Sequence, residues 1–391
     1  MIHKHGGDIY THGGVKDFSA NINFRGMPPA VREAARKAVD ASVHYPDPDS
    51  RALRAALASR DNVLPEQIIC GNGAAEIMFA LADAIRPKRA LVAVPSFFEY
   101  EQALEGCGCE IQRIVLRSED EFRLSGTFLR EAVEFAQQAA ADGGIKGKKE
   151  LLNRFGKGSE LAAPDISEQW HAMIILGNPN NPTGRLIERD LLLDIICVCR
   201  DYHILLVLDE SFWDFLNEED RKATFSGLFV ADECSNVFVI RSFTKIYAIP
   251  GIRFGYGVSS ERKLLERMRR LIQPWNVSLV AQEAAKAAAS EIDFAYETAA
   301  QISANRRAFA DGLRSAGFRI FPSSVNFLLV EGPENLKLHC LEHGFLIRDC
   351  GNFPGLERID DRHAYFRVCV RSREENEELL EVMRGCCHDY K

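Results

Sequence analysis

Apolar residues fall into short unbroken runs along this chain: Ile68 to Cys70, Ala90 to Val94, Ile111 to Leu116, Ala172 to Leu176, Ile204 to Leu208, Val237 to Ile240 and Phe254 to Val258. Runs of this length, bounded by turn residues and without polar alternation, read as strands buried on both faces. Helical segments alternate with most of them. Between Ser50 and Arg60, Leu53 and Leu57 lie one turn apart behind Ser50, an N-cap candidate. After Ile68 to Cys70 the turn Gly71-Asn72-Gly73 opens a helix-forming run from Ala74 to Ala84. Buried strands separated by helices predict an α/β fold with a mainly parallel sheet.

Beyond Trp275 the pattern changes to an Ala-rich helical stretch, then the strand-like runs Asn326 to Val330, Phe345 to Arg348 and Ala364 to Val370, then an acidic terminal helix. We read residues 45–274 as a large domain and 275–391 as a smaller α+β domain, with 1–44 as an N-terminal arm that joins the smaller one. Residues 139–165, rich in Gly, Lys and Ala, read as a surface insertion, a solvated loop or short exposed helix.

Composition narrows the function classes. With 391 residues, 46% hydrophobic and 27% charged, the chain suits a soluble globular protein large enough for two domains. The 48 Lys and Arg against 56 Asp and Glu give a net charge of -8, which provides no positive field for nucleic acid or anionic lipid. No segment approaches the ~20 apolar residues of a membrane span, and the first residues form no apolar stretch, so we read a cytoplasmic protein. The odd number of cysteines, 11, favours a reducing compartment. Cys107-x-Cys109, Cys197-x-Cys199 and Cys386-Cys387 lack a second pair at zinc spacing and read as small apolar residues rather than metal ligands. His3, His5 and His12 read as part of a polar arm or as a substrate contact; no metal is expected.

Candidate chemistry gathers at strand ends. Gly71-Asn72-Gly73 aims backbone N–H groups and the positive end of a helix at an anion, although the same glycine turn serves as a plain connection elsewhere. Asn178-Pro179-Asn180-Asn181-Pro182-Thr183-Gly184 fixes an extended loop at the end of a strand, where ligands bind in open α/β sheets. Asp209 closes the run Ile204 to Leu208, partly out of water, and needs a partner: an Arg or Lys of the chain, or a cationic ring nitrogen. Ser242-Phe243-Thr244-Lys245 follows the next strand, with Arg253 beyond it. A lysine at that edge is open to desolvation and neighbouring cations, both of which make its amine a nucleophile.

The order Asn-Pro-Thr-Gly loop, strand-Asp209, strand-Ser242-x-x-Lys245, then Gly251-x-Arg253-x-Gly255-Tyr256 resembles the fold-type I, pyridoxal-phosphate-dependent aminotransferase superfamily over nearly the whole chain. The resemblance implies a large cofactor domain around a seven-stranded, mainly parallel but mixed sheet. It implies that Lys245 holds pyridoxal phosphate as a Schiff base and moves protons, that Asp209 keeps the pyridinium nitrogen protonated, and that Asn181 hydrogen-bonds the ring oxygen. The cofactor phosphate falls to Gly73, Ala74, Ser242 and Arg253, with Thr244 a lesser candidate. Tyr100 matches the residue that stacks on the ring. Tyr45 matches a tyrosine that reaches the phosphate of a neighbouring subunit, which implies a homodimer. Arg367 matches the arginine for the substrate carboxylate.

His5-Gly6-Gly7-Asp8-Ile9, Asp17 to Asn23 and Ile347 to Leu356 resemble the threonine-phosphate decarboxylases of cobalamin synthesis, relatives of histidinol-phosphate aminotransferases. In that reading His5, Asn21 and Arg348 surround a substrate phosphate, with Arg371 a further candidate. Phe212 stands where the aminotransferases carry a tyrosine. Three expectations follow, in order: decarboxylation of O-phospho-L-threonine or a close amino-acid phosphate; amino transfer of the histidinol-phosphate type with 2-oxoglutarate; and a noncatalytic regulator that binds the cofactor. Phe24-Arg25-Gly26, Gly351 and the insertion depart from the decarboxylase pattern and leave open phosphoserine, or a substrate outside cobalamin synthesis.

Overall fold

A computed structural model of the chain describes residues 5–142, 170–231, 234–357 and 362–388. After the two-residue strand β1 (Lys16–Asp17), seven strands build the main sheet: β2 (Ile68–Gly71), β3 (Arg89–Val94), β4 (Glu110–Val115), β5 (Ala172–Gly177), β6 (Leu205–Asp209), β7 (Val237–Ser242) and β8 (Gly255–Val258). They correspond to the seven apolar runs, with ends displaced by a residue or so. Their order is β2-β8-β7-β6-β5-β3-β4. Every pairing is parallel except those of β8, which runs against both β2 and β7. The fold is therefore α/β with a mixed sheet.

Alternate strand residues explain why the runs are unbroken. Leu91, Ile174, Leu206 and Val239 belong to one apolar cluster, and Val92, Ile175, Val207 and Ile240 to another. Successive side chains point to opposite faces, so a helical layer covers each face and neither is left for polar residues. The helix Ala74–Ile85 buries Ile77, Met78, Leu81 and Ile85 in the second cluster.

A second assembly follows. Strands β9 (Arg319–Ile320), β10 (Phe327–Pro333), β11 (Phe345–Leu346), β12 (Arg348–Asp349) and β13 (His363–Cys369) supply an antiparallel sheet ordered β12-β13-β10-β9, while β11 pairs in parallel with β1 of the N-terminal arm. Phe18, Leu313, Val330, Phe366, Leu379 and Met383 form its own core. The expected single strand Phe345 to Arg348 is split at Ile347, whose two sides pair in different sheets.

Two expectations are corrected. Ser50 makes no capping bond; it sits at φ 46, and Asp47 accepts instead from the backbone N–H of Arg51 at 2.8 Å and of Asp49 at 3.1 Å. Residues 139–142 are neither a solvated loop nor a separate exposed helix but the last turn of the helix Gly126–Asp142, where Ala139 and Ala140 extend the buried stripe Phe128, Ala132, Phe135 and Ala136. The rest of the expected insertion, like His3, lies outside the described residues. The Ala-rich helix Leu279–Ala289 packs on the helices Pro29–Asp40 and Arg51–Asp61 and shares an apolar cluster with β6 and β7.

Among the described residues no helix is long and apolar enough to cross a membrane.

Candidate active site

Parallel strands place their last residues at one edge, and that edge carries the chemistry. Gly71 ends β2, Asp209 ends β6 and Ser242 ends β7. The loop after β5 is braced internally: Asn180 Nδ2 donates to the Pro95 carbonyl at 3.0 Å and to Thr183 Oγ1 at 2.9 Å, and Asn178 Nδ2 donates to Thr224 Oγ1 at 3.2 Å. Those bonds hold Asn181 at the edge.

Lys245 follows Ser242 on the turn out of β7. Its Nζ lies 3.4 Å from Thr244 Oγ1 and 5.0 Å from the centre of the Phe212 ring. Burial disfavours the ammonium and lowers the amine to about 8; Asp209 and Glu99 oppose the shift, while Arg253 and Arg367 add to it. The amine is thus poised to lose its proton close to neutral pH. Asp209 is buried, accepting from Tyr100 OH at 2.6 Å and from Ser211 N–H at 2.8 Å. Tyr100 is thereby brought against Asp209, and burial raises its phenol well above the usual value.

An anion cradle lies beside them. Gly73 starts the helix Ala74–Ile85 at φ 90, and a Cβ there would collide with Arg253 Nη2. A Cβ on Gly255 would collide with the Ala74 nitrogen, so that glycine lets β8 close against the helix start. The first N–H groups of a helix lack intrahelical partners, and here a guanidinium sits beside them. Ser242 Oγ lies 2.8 Å from Thr244 Oγ1.

Two more arginines face one another across the β12–β13 pair: Arg348 and Arg367 are register partners. Arg367 donates to Asn181 Oδ1 and, at 3.0 Å, to the Ser19 carbonyl. Arg348 donates to the Asp349 carbonyl and, at 2.8 Å, to Asn352 Oδ1. Of the four buried arginines among the described residues, Arg241 and Arg306 lie against Glu210 and Asp220, whereas Arg348 and Arg367 form no ion pair. Desolvation lowers both, Arg367 to about 10, and Arg348 adds to the lowering of Arg367. Arg367 Nε and Asn21 Oδ1 are buried without a hydrogen-bond partner. Two buried guanidiniums without an ion-pair partner suit a ligand carrying negative charge.

The remaining candidates are less central. His5 Nε2 lies 3.3 Å from Glu99 Oε1. Arg371 is taken up by Glu375 at 2.8 Å. Tyr45 is 80% exposed, with its ring 4.7 Å from that of Trp275. Sequence reasoning missed Ser19, Glu99 and Asn352, small polar or acidic residues whose roles arise only from the chain segments that fold against them.

These residues fit pyridoxal phosphate: an amine of lowered pKa, a buried carboxylate nearby, and a glycine cradle with an arginine for a phosphate. A family model described as aminotransferase class I and II matches residues 14–383. The chain is 35% identical to the threonine-phosphate decarboxylase of Salmonella typhimurium, covering 94% of this chain and 90% of that protein. It is 29% identical to a histidinol-phosphate aminotransferase of a Geobacillus species, over 93% and 88% of the two chains. A histidinol-phosphate aminotransferase from Sinorhizobium meliloti, solved in complex with pyridoxal 5'-phosphate, has a TM-score of 0.74 at 19% identity, over 95% of this chain and 90% of that one. Fold and site together define a pyridoxal-phosphate-dependent enzyme. The chain belongs to the aminotransferase class I and II family.

Proposed function

We propose that the chain decarboxylates O-phospho-L-threonine, or a near analogue, to an amino-alcohol phosphate and carbon dioxide. The observation that carries this reading is the pair of buried, unpaired guanidiniums of Arg348 and Arg367. Such a pair suits a substrate with two anionic groups, a carboxylate and a phosphate monoester, and the likeness to the Salmonella enzyme supports it.

Bound pyridoxal phosphate supplies an electron sink conjugated to the substrate Cα. Lys245, Asp209, Gly73, Ala74, Ser242, Arg253, Tyr100 and Asn181 hold it, and Tyr45 reaches it from the second copy of a homodimer. Arg367 binds the substrate carboxylate, while Arg348, His5 and Asn21 bind the phosphate monoester. Lys245 takes a proton from the substrate ammonium as the substrate binds; the bond from Cα to the carboxylate carbon then breaks, carbon dioxide leaves, the electron pair stays with Cα, and the Lys245 ammonium returns its proton to Cα. Phe212 presents a ring and no hydroxyl to Lys245. Substrate orientation selects the bond that breaks.

The likeness to histidinol-phosphate aminotransferases favours a second reading, amino transfer to 2-oxoglutarate. Mass spectrometry of products from the holoenzyme and O-phospho-L-threonine, with and without 2-oxoglutarate, separates the two. Aminopropanol phosphate formed without an oxoacid is the expected result. Glutamate formed only with 2-oxoglutarate overturns it in favour of the second reading.

A further inference from the structure

Behind the edge that carries Asp209, Ser242 and Lys245 lies a buried set of charged side chains that the proposed chemistry does not use. Glu210 directly follows Asp209, and Arg241 directly precedes Ser242. Arg241 approaches Glu210 Oε2 with Nη2 at 2.8 Å and with Nε at 3.0 Å. The same carboxylate accepts from Ser226 Oγ at 2.7 Å and from Gly227 N–H at 2.6 Å. A Cβ on Gly227 would lie 2.7 Å from Leu208 Cδ1 and 2.8 Å from Val239 Cγ2, so only glycine lets that N–H come so close.

The set continues toward the lysine turn. Arg241 Nη1 lies 3.9 Å from Asp214 Oδ1, and Arg60 Nη2 lies 2.8 Å from the same oxygen. Arg60 Nη1 donates to Tyr247 OH at 2.9 Å, and its guanidinium carbon lies 4.6 Å from the centre of the Phe243 ring. Asp61 accepts from Tyr256 OH at 2.6 Å and lies 3.7 Å from Arg60 Nε. Arg221 is a further cation close to Asp214. The three guanidiniums of Arg60, Arg221 and Arg241 meet the three carboxylates of Asp61, Asp214 and Glu210, which leaves no net charge to attract a ligand. A buried ionic set of this kind adds little stability over an apolar core of the same shape.

Its placement gives it another use. The Glu210 N–H bond to the Ile240 carbonyl, at 2.9 Å, is the last rung between β6 and β7. Beyond it, the Glu210–Arg241 pair is the next tie between the two strand ends. Phe243 and Tyr247, which touch Arg60, flank Lys245.

We infer that Glu210 and Arg241 are positioning residues whose pairing sets the spacing between the Asp209 carboxylate and the Ser242 hydroxyl, while Arg60 and Asp214 hold the Phe243–Tyr247 turn that presents Lys245. The inference rests on the cofactor roles proposed above for Asp209, Ser242 and Lys245. A carboxylate for the ring nitrogen and a hydroxyl for the phosphate grip opposite ends of one rigid molecule, so a small change in their spacing spoils both contacts at once.

Glu210→Gln alone would strand the charge of Arg241, so the test uses the neutral double variant Glu210→Gln/Arg241→Gln. Three quantities are measured: the thermal midpoint of the cofactor-free protein, the dissociation constant of pyridoxal phosphate by absorbance titration, and the visible circular dichroism of the bound cofactor. The double variant is expected to melt close to the wild type, to bind the cofactor about tenfold or more weakly, and to show an altered dichroic band. A folded double variant with wild-type affinity and dichroism overturns the inference. Asp209→Ala, run in parallel, separates the two levels. If it too leaves affinity unchanged, the cofactor reading itself fails; if it weakens binding while the double variant does not, the positioning inference alone fails. Should the double variant not fold, Ser226→Ala removes one hydrogen bond from each partner and no charge. Weaker cofactor binding at an unchanged midpoint then supports the inference, and unchanged binding overturns it.

Discussion

Lys245→Met tests the lysine without reference to turnover. The amine has a pKa of about 8 in the folded chain against 10.5 for the free side chain, mainly because burial disfavours the ammonium. Between those two values the unfolded chain binds more protons than the folded one, so wild-type stability rises with pH through that window. At pH 7 the buried amine costs the cofactor-free protein about 3 kcal/mol, and near pH 9.5 about 1 kcal/mol. Methionine fills nearly the same space and does not titrate. Differences in packing between the two side chains are independent of pH, and groups remote from residue 245 titrate alike in both proteins, so both cancel in the slope. Urea unfolding of the two cofactor-free proteins from pH 7 to about pH 9.5 should show the wild type gaining about 2 kcal/mol on the variant. A difference that stays constant with pH would mean that the amine is solvated like a surface lysine, and the account of its activation would be wrong.

Arg348→Ala should raise KM for O-phospho-L-threonine by about 10- to 100-fold, the loss of one charged hydrogen bond, and leave binding of unphosphorylated threonine nearly unchanged. Equal losses for both ligands remove it from the phosphate site. Gly73→Ala places a methyl against Arg253 at a φ of 90, so the cofactor dissociation constant should rise about tenfold or more, with a lower melting temperature for the cofactor-free protein. Asp47→Ala should cost about 1 kcal/mol at pH 7 through its bonds to the start of the helix Arg51–Asp61. Its hydrogen bond with Arg51 holds the Asp47 carboxyl below 3.8, so the stability it adds is present above that value and fades as pH falls through the lowered pKa; acid denaturation profiles of the two proteins should converge there.

The main sheet was legible because strands buried on both faces leave unbroken apolar runs, and Asp209, Ser242 and Lys245 each end or follow one. Strand order was not, because nothing local in Gly255 to Val258 marks it as reversed; that follows from the neighbours it pairs with. Ser50 has a capping side chain in a capping position, yet its left-handed backbone turns the hydroxyl away and Asp47 takes the bond. Arg348 and Arg367 were visible as candidates, but not their facing positions, because that register comes from the antiparallel pairing of β12 with β13, which neither segment encodes alone. Glu210 and Arg241 carried a local signal that went unread: each is a charge set directly against the apolar end of a buried strand, where an unpaired one would be costly.

The reversed direction of β8 has a consequence for how the reacting groups are inherited. Because β8 runs against β7, the connection Phe243–Phe254 returns to the edge it left, so Ser242, Thr244, Lys245 and Arg253 all sit on one short reversal of the chain. A parallel strand there would need a crossover helix and would deliver Arg253 to the far side of the sheet, roughly 13 Å away at about 3.3 Å per residue. The amine and the guanidinium beside the helix start therefore form a single cassette. An exchange of the segment 242–255 between relatives would move both together, and recombination inside it would separate them.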